Sequence, residues 1–142
     1  GCGSVAIEWM RAAQYSKAIG IEPRADRRLM ASKNALALGT PQLQLVDGLA
    51  PLALINLPAP DAVFVGGGLT EEVFDAAWAA LKPLGRFVAN SVTLESEQTL
   101  MGLQKKYQGD LSRIAVSRVE PIGRYNGWRS FMPVTQWCLV KR

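Results

Sequence analysis

Apolar residues Val5, Ile7, Trp9, Met10 and Ala13 recur at helical spacing and cover a broad face, which predicts a helix over residues 5–13 with Ser4 as its N-cap. A short strand is expected over 17–21, ending at the acidic Glu22. Pro23 suits the first turn of a second helix, which continues through Arg27, Met30 and Asn34 to a stop near Gly39. Residues 43–46 read as the next strand and end at Asp47-Gly48. The block Ala62-Val63-Phe64-Val65 is apolar without alternation, as expected of a central parallel strand buried on both faces, and it stops at Gly66-Gly67-Gly68. Thr70 then caps a helix that turns Phe74, Ala77, Trp78 and Leu81 inward, and residues 83–85 close it. A strand over 86–90 and a helix over 94–107 follow.

After Gly109 the period changes. Ile114, Val116 and Val119 mark one strand and residues 134–140 another, while 121–133, with Gly123, Asn126, Gly127 and Pro133, reads as a long loop. Helix–strand alternation ending in two successive strands predicts an α/β fold, its mostly parallel sheet closed by an antiparallel C-terminal hairpin. Residues 1–142 are expected to form one domain, without internal repeats or low-complexity segments.

The loop Gly1-Cys2-Gly3-Ser4 opens the first helix, and Glu22 lies nineteen residues after Gly3. Glycines let a backbone approach a ligand that a Cβ would exclude, and the helix start behind them offers unpaired N–H groups. A carboxylate at the end of the following strand can accept from two ribose hydroxyls. Such a loop ordinarily follows a buried strand, so the chain is expected to be a fragment whose first strand is missing.

The chain of 142 residues carries a net charge of +4, and its basic residues are scattered rather than clustered. A small polyanionic substrate accounts for the excess as well as nucleic acid does, and nucleic acid is not the expected partner. There is no histidine, which removes the usual general base, the Ser-His nucleophile pair and most zinc sites. Cys2 and Cys138 stand at opposite ends with no C-x-x-C spacing, so neither a disulfide nor a metal site is expected, and a reducing cytoplasmic compartment fits better. Residues 49–69 are strongly apolar, yet Pro51, Asn56, Pro58, Pro60 and Asp61 interrupt them, and no membrane span is expected.

Ligands of open parallel sheets bind at the carboxyl ends of the strands. Gly1 to Ser4, Glu22, Asp47 to Ala50, Gly66 to Leu69 and Asn90 to Glu95 all fall at such ends. Each also reads as turn chemistry, and Gly39 and Gly85 as nothing more. Recurrence at five strand ends predicts one ligand groove.

Gly-Cys-Gly-Ser-Val-Ala-Ile-Glu-Trp at the start, Gly-Ile-Glu-Pro-Arg-Ala-Asp-Arg at 20–27, Val-Phe-Val-Gly-Gly-Gly at 63–68, Val-Ala-Asn-Ser-Val-Thr-Leu-Glu at 88–95 and Met-Pro-Val-Thr-Gln-Trp at 132–137 together resemble the decarboxylating precorrin methyltransferases of cobalamin biosynthesis. Within that family the likeness is to the carbon-15 enzyme, whether the C-terminal half of a bifunctional protein or a stand-alone one. The resemblance implies a class I, Rossmann-like methyltransferase fold that uses S-adenosylmethionine, methylates carbon 15 of a tetrapyrrole and removes carbon dioxide from the ring C acetate. It also implies a homo-oligomer, a tetramer in the family. Carried over by position, Gly1 and Gly3 would border the methionine part of the cofactor, Glu22 its ribose, and Gly48-Leu49-Ala50 its adenine. Gly66 and Gly67 would form the floor beneath the sulfonium.

That chemistry suits a chain without histidine. An activated methyl mainly requires in-line placement of the carbon nucleophile and exclusion of water, and the macrocycle itself can take up the electrons of decarboxylation. The remaining candidates for polar catalytic roles are Asn90, Thr93 and Glu95, with Tyr125 beside them. Glu95 reads either as a proton shuttle or as a helix-start carboxylate favoured by the macrodipole. Arg124, Tyr125 and Arg129 are candidate substrate contacts, because guanidinium forks suit the acetates and propionates of a polycarboxylate tetrapyrrole; solvated loop charge is the alternative. Trp128 and Phe131 read as covering the macrocycle face or burying a subunit contact. Two other functions compete: an RNA methyltransferase of the same fold, which lacks a basic stripe here, and a non-catalytic S-adenosylmethionine-binding domain. A dehydrogenase is disfavoured by the absence of G-x-G-x-x-G.

Overall fold

The glycine loop sets the entry to the first helix. In the computed structural model, which describes all 142 residues, Gly3 stands at φ 82° and is itself the N-cap of α1 (Ser4–Ala12). Ser4 is therefore the first helical residue and not the cap. A residue with a Cβ is strained at that φ, and the Cβ would lie 3.0 Å from Ala31 Cβ, so a polar cap side chain at position 3 is excluded by both conformation and packing.

The chain divides into two compact units, Gly1–Leu57 and Pro58–Arg142. In the first, α1 buries Ile7 and Met10 and packs on α2 (Ala25–Ala37), which buries Ala31 and Ala35. Pro23 lies outside α2, because Arg24 is its N-cap in extended conformation. Strands β1 (Ile19–Ile21) and β2 (Gln44–Val46) pair in parallel, Ile19 opposite Gln44 and Ile21 opposite Val46. A single 3-10 turn, Leu52–Leu54, ends this unit.

The second unit is built on a four-stranded sheet. In chain order its elements are β3 (Ala62–Val65), α3 (Glu71–Ala80), β4 (Arg86–Ser91), α4 (Leu94–Tyr107), β5 (Asp110–Ile114), β6 (Ser117–Ile122), β7 (Tyr125–Ser130) and β8 (Val134–Val140). The sheet order is β3-β4-β8-β5, with β3 parallel to β4 and β8 antiparallel to both its neighbours. Strand β3 thus lies at an edge of this sheet, and of its residues only Val65 is fully buried. The run is therefore apolar without being central in this sheet or buried throughout.

Thr70 and Thr93 cap α3 and α4, each hydroxyl oxygen accepting a backbone N–H three residues on. Both helices lean on the face of the sheet that carries Phe87, Ala89 and Trp137. Phe74 is the hub, its ring centre 5.1 Å from Phe87, 4.8 Å from Tyr107, 5.4 Å from Trp137 and 5.6 Å from Trp78. Trp137, fully buried, donates its indole N–H to the Gln108 carbonyl at 2.8 Å. Lys141 closes α3 by donating to the carbonyls of Trp78 (2.6 Å) and Leu81 (2.7 Å).

Two features at the C-terminal end differ from the sequence reading. Ile114 ends β5 and Val119 lies in β6, with Val116 between the two strands, and the expected loop over 121–133 contains β7. Strands β6 and β7 form their own antiparallel hairpin, from Ser117 opposite Ser130 to Ile122 opposite Tyr125. Gly123, at φ 59°, and Arg124 make its two-residue turn, the glycine-first arrangement that matches strand twist. The closing antiparallel pair is β5 with β8, and the hairpin is inserted between them. No helix is long and apolar enough to cross a membrane.

Candidate functional site

Glu22 is the charged side chain that unit 1 buries, at 7% exposure immediately after β1. Its N–H donates to the Val46 carbonyl at 3.1 Å, extending the β1–β2 pairing by one residue and fixing where its side chain begins. The carboxylate accepts from the Gly1 nitrogen, and its other oxygen accepts from the Arg24 N–H at 3.0 Å; Arg27 stands 3.9 Å away. The Gly1 nitrogen first, and then the Arg24 N–H, donate to this carboxyl and hold it below the usual glutamate range, so it is a committed anion at neutral pH. The glycine loop therefore meets Glu22 directly. In the same loop the Cys2 carbonyl accepts from Asn34 Nδ2 at 3.0 Å, which ties the loop to α2.

Asp47 follows β2 as Glu22 follows β1. Both its oxygens accept from Arg28, at 2.8 and 3.0 Å. Gly48 then takes φ 150°, where a Cβ would lie 3.0 Å from Ala53 Cβ, and the chain turns so that Leu49 is largely exposed beside Ala50. Unit 1 thus brings together Gly1, Gly3, Glu22 and, across the β1–β2 pair, the 48–50 turn. A buried anionic acceptor beside an exposed apolar residue suits a ligand with vicinal hydroxyls and a flat base.

In unit 2, Gly66 and Gly67 are exposed directly after β3. Asn90, opposite Gln136 across the β4–β8 pair, accepts from the Gln136 amide at 2.9 Å and keeps its own N–H groups. The Thr93 hydroxyl oxygen accepts from the Ser96 N–H at 3.3 Å as the α4 cap. Glu95 is exposed in the first turn of that helix, where the macrodipole favours a carboxylate. Arg129 pairs with Glu120 at 3.0 Å, and Arg124 lies 5.2 Å from the Tyr125 ring.

Two polar clusters escaped the sequence. Arg28 is the first, and its signal is an arginine one turn into the helix that follows a strand-end carboxylate, with an aspartate ending the next strand. The second joins Glu97, Thr135 and Arg113: Thr135 Oγ1 donates to Glu97 Oε2 at 3.1 Å and accepts from Arg113 Nε at 3.2 Å, while Arg113 also pairs with Glu97. Its members lie on α4, β8 and β5, and no local spacing announces them.

A family model described as a precorrin methyltransferase domain matches residues 1–141. A precorrin-6Y C(5,15)-methyltransferase [decarboxylating] from Sinorhizobium sp is 46% identical over 99% of this chain and 34% of its own length. The chain spans about a third of that relative and of its mycobacterial counterparts. A protein from Pyrobaculum calidifontis named as a probable cobalt-precorrin-6B C(15)-methyltransferase (decarboxylating) is 32% identical, over 94% of this chain and 71% of its own length. Among solved structures, the C-terminal domain of precorrin-6Y C5,15-methyltransferase from Rhodobacter capsulatus is 45% identical, with a TM-score of 0.90 over 99% of this chain and 76% of that one. A SAM-dependent O-methyltransferase from Thermotoga maritima, 17% identical, shares the class I methyltransferase fold alone, with a TM-score of 0.73 over 99% of this chain and 56% of that one.

Proposed function

Since the chain belongs to the precorrin methyltransferase domain family, we propose that it methylates carbon 15 of a precorrin with S-adenosylmethionine and takes part in removing carbon dioxide from the ring C acetate. The observation that carries this reading is the Pyrobaculum relative, which is named for the carbon-15 and decarboxylating activity and of whose length this region makes up 71%.

In this reading S-adenosylmethionine supplies an already activated methyl group, and the chain's residues bind, orient and exclude water. Glu22 accepts the ribose hydroxyls, a role suited to a buried carboxylate held ionised. Gly1 and Gly3 border the methionine part, and the turn Gly48-Leu49-Ala50 lines the adenine, with the Leu49 side chain against the ring. Asn90 donates its free amide hydrogens toward the substrate, and Thr93 and Glu95 flank it at the start of α4.

On the β6–β7 hairpin the register separates two faces. Tyr125 and Arg129 share one with Arg118 and Glu120, and with Arg124 at the turn they meet the carboxylates of a tetrapyrrole. Val119 and Trp128 lie opposite each other on the second face, where Trp128 is 76% exposed, and a second copy of the chain covers them.

Calorimetry and product analysis on the intact protein test this reading. Glu22→Gln is expected to weaken S-adenosylmethionine by about 1–3 kcal/mol, the scale of a charge-assisted hydrogen bond. Incubation with a precorrin should give a product that has gained a methyl group and lost carbon dioxide. Unchanged affinity rejects the ribose role, and methylation without carbon dioxide release rejects the decarboxylating one.

A further inference from the structure

The Arg28 guanidinium is bound by three residues from the ends of two strands at once. Its Nη1 and Nη2 face Asp47 Oδ1 and Oδ2 side by side at 2.8 and 3.0 Å, and Nη1 also reaches the backbone carbonyls of Glu22 and Pro23, each at 2.8 Å. The side chain is only 21% exposed, although it starts from a helix whose neighbouring residues Arg27 and Leu29 are open to water. The planar fork meets the carboxylate with two nitrogens at once and shares the two Nη1 hydrogens among the carboxylate and the carbonyls, whereas a lysine would have to serve all four acceptors from a single nitrogen.

We infer that Arg28 is a positioning residue that fixes the distance and orientation between the carboxylate of Glu22 and the turn 48–50, so that the ribose and the adenine of one nucleoside are met together. The inference rests on the cofactor reading proposed above and deepens it. Glu22 and Asp47 each stand one residue beyond paired strands, past the last β1–β2 partners Ile21 and Val46. Beyond that point the strand ladder adds only the bond from the Glu22 N–H to Val46, and Arg28 supplies the further tie. Arg28 engages both oxygens of Asp47 and so holds the residue from which the 48–50 turn departs. Recognition of the base edge falls to the backbone of Gly48, Leu49 and Ala50, whose placement depends on the pair.

The test is calorimetric titration of the intact protein with S-adenosylhomocysteine, the unreactive product, and separately with adenosine. Arg28→Lys and Asp47→Asn are each expected to weaken both ligands roughly tenfold, the scale of a hydrogen bond to a charged group. The double variant should bind no more weakly than the poorer single one, because both act through one pair. Asp47 is mostly exposed, so Asp47→Asn keeps the test available if Arg28→Lys fails to fold. A lowered melting temperature with wild-type affinity in the folded protein, in either variant, overturns the positioning role and leaves a structural one. Failure of the wild type to bind S-adenosylhomocysteine is a separate outcome: it removes the cofactor reading and this inference with it.

Discussion

Thr135 on β8 donates its hydroxyl hydrogen to Glu97 on α4 at 3.1 Å, deep enough that Thr135 is 2% exposed. The same oxygen accepts from Arg113 on β5, so one buried hydroxyl joins a helix to two strands. Thr135→Val keeps the shape and removes both bonds, which leaves Glu97 Oε2 and Arg113 Nε unpartnered and only the Arg113–Glu97 pair in place. A loss of about 1–3 kcal/mol is expected in urea denaturation, with Thr135→Ser retaining most of the stability.

Phe74 touches four aromatic neighbours and is fully buried. Phe74→Ala is expected to cost about 3–5 kcal/mol, since the surrounding rings are too rigid to collapse into the cavity. Phe74→Leu should cost markedly less, and the two together, measured by denaturant unfolding, separate lost volume from lost ring contacts.

Acid should reveal Glu22. Its carboxyl is held below the usual range by the hydrogen bonds it accepts from the Gly1 nitrogen and the Arg24 N–H, so the folded state binds its proton less readily than the unfolded chain does. The stability it contributes is complete above about pH 4.3, the ordinary glutamate value, and is lost as pH falls through the lowered folded value. Wild type and Glu22→Gln should therefore differ most at neutral pH and converge in strong acid, as followed by denaturant midpoints across that window.

Much of this architecture was legible because its signals are local. Helix α4 spans the predicted residues 94–107, and α3 is capped by the Thr70 that announced it. The start of α1 misled because serine is the commoner cap, while only the crowding of Gly3 against Ala31 requires glycine there. Within 121–133, Pro121, Gly123, Asn126, Gly127 and Pro133 all read as turn residues, which hid a two-residue turn inside a hairpin. At the site, Glu22 stood out by its interval from the glycine loop. Arg28 and Thr135 did not, because their partners Asp47 and Glu97 lie 19 and 38 positions away and meet them only after the strands have paired.

Assembly provides a prediction about the hairpin. Val119 and Trp128 face each other across β6 and β7 with most of their surface open. Val119→Thr combined with Trp128→Gln should lower the assembled mass in sedimentation velocity while leaving the far-ultraviolet circular dichroism unchanged. A wild-type mass for the double variant would exclude this face as the contact between copies.

The β6–β7 hairpin leaves the sheet after Ile114 and returns at Val134, and those two residues are direct partners in the β5–β8 ladder. Its two roots are therefore held side by side by the sheet itself. Whatever chain lies between them is a closed excursion whose length hardly alters the cost of joining its ends. The segment can lengthen, shorten or exchange its tip from one family member to another while Trp137 and Thr135 keep their register. Surface contacts carried on the arm are thus free to diverge at a pace the core of the same unit cannot follow.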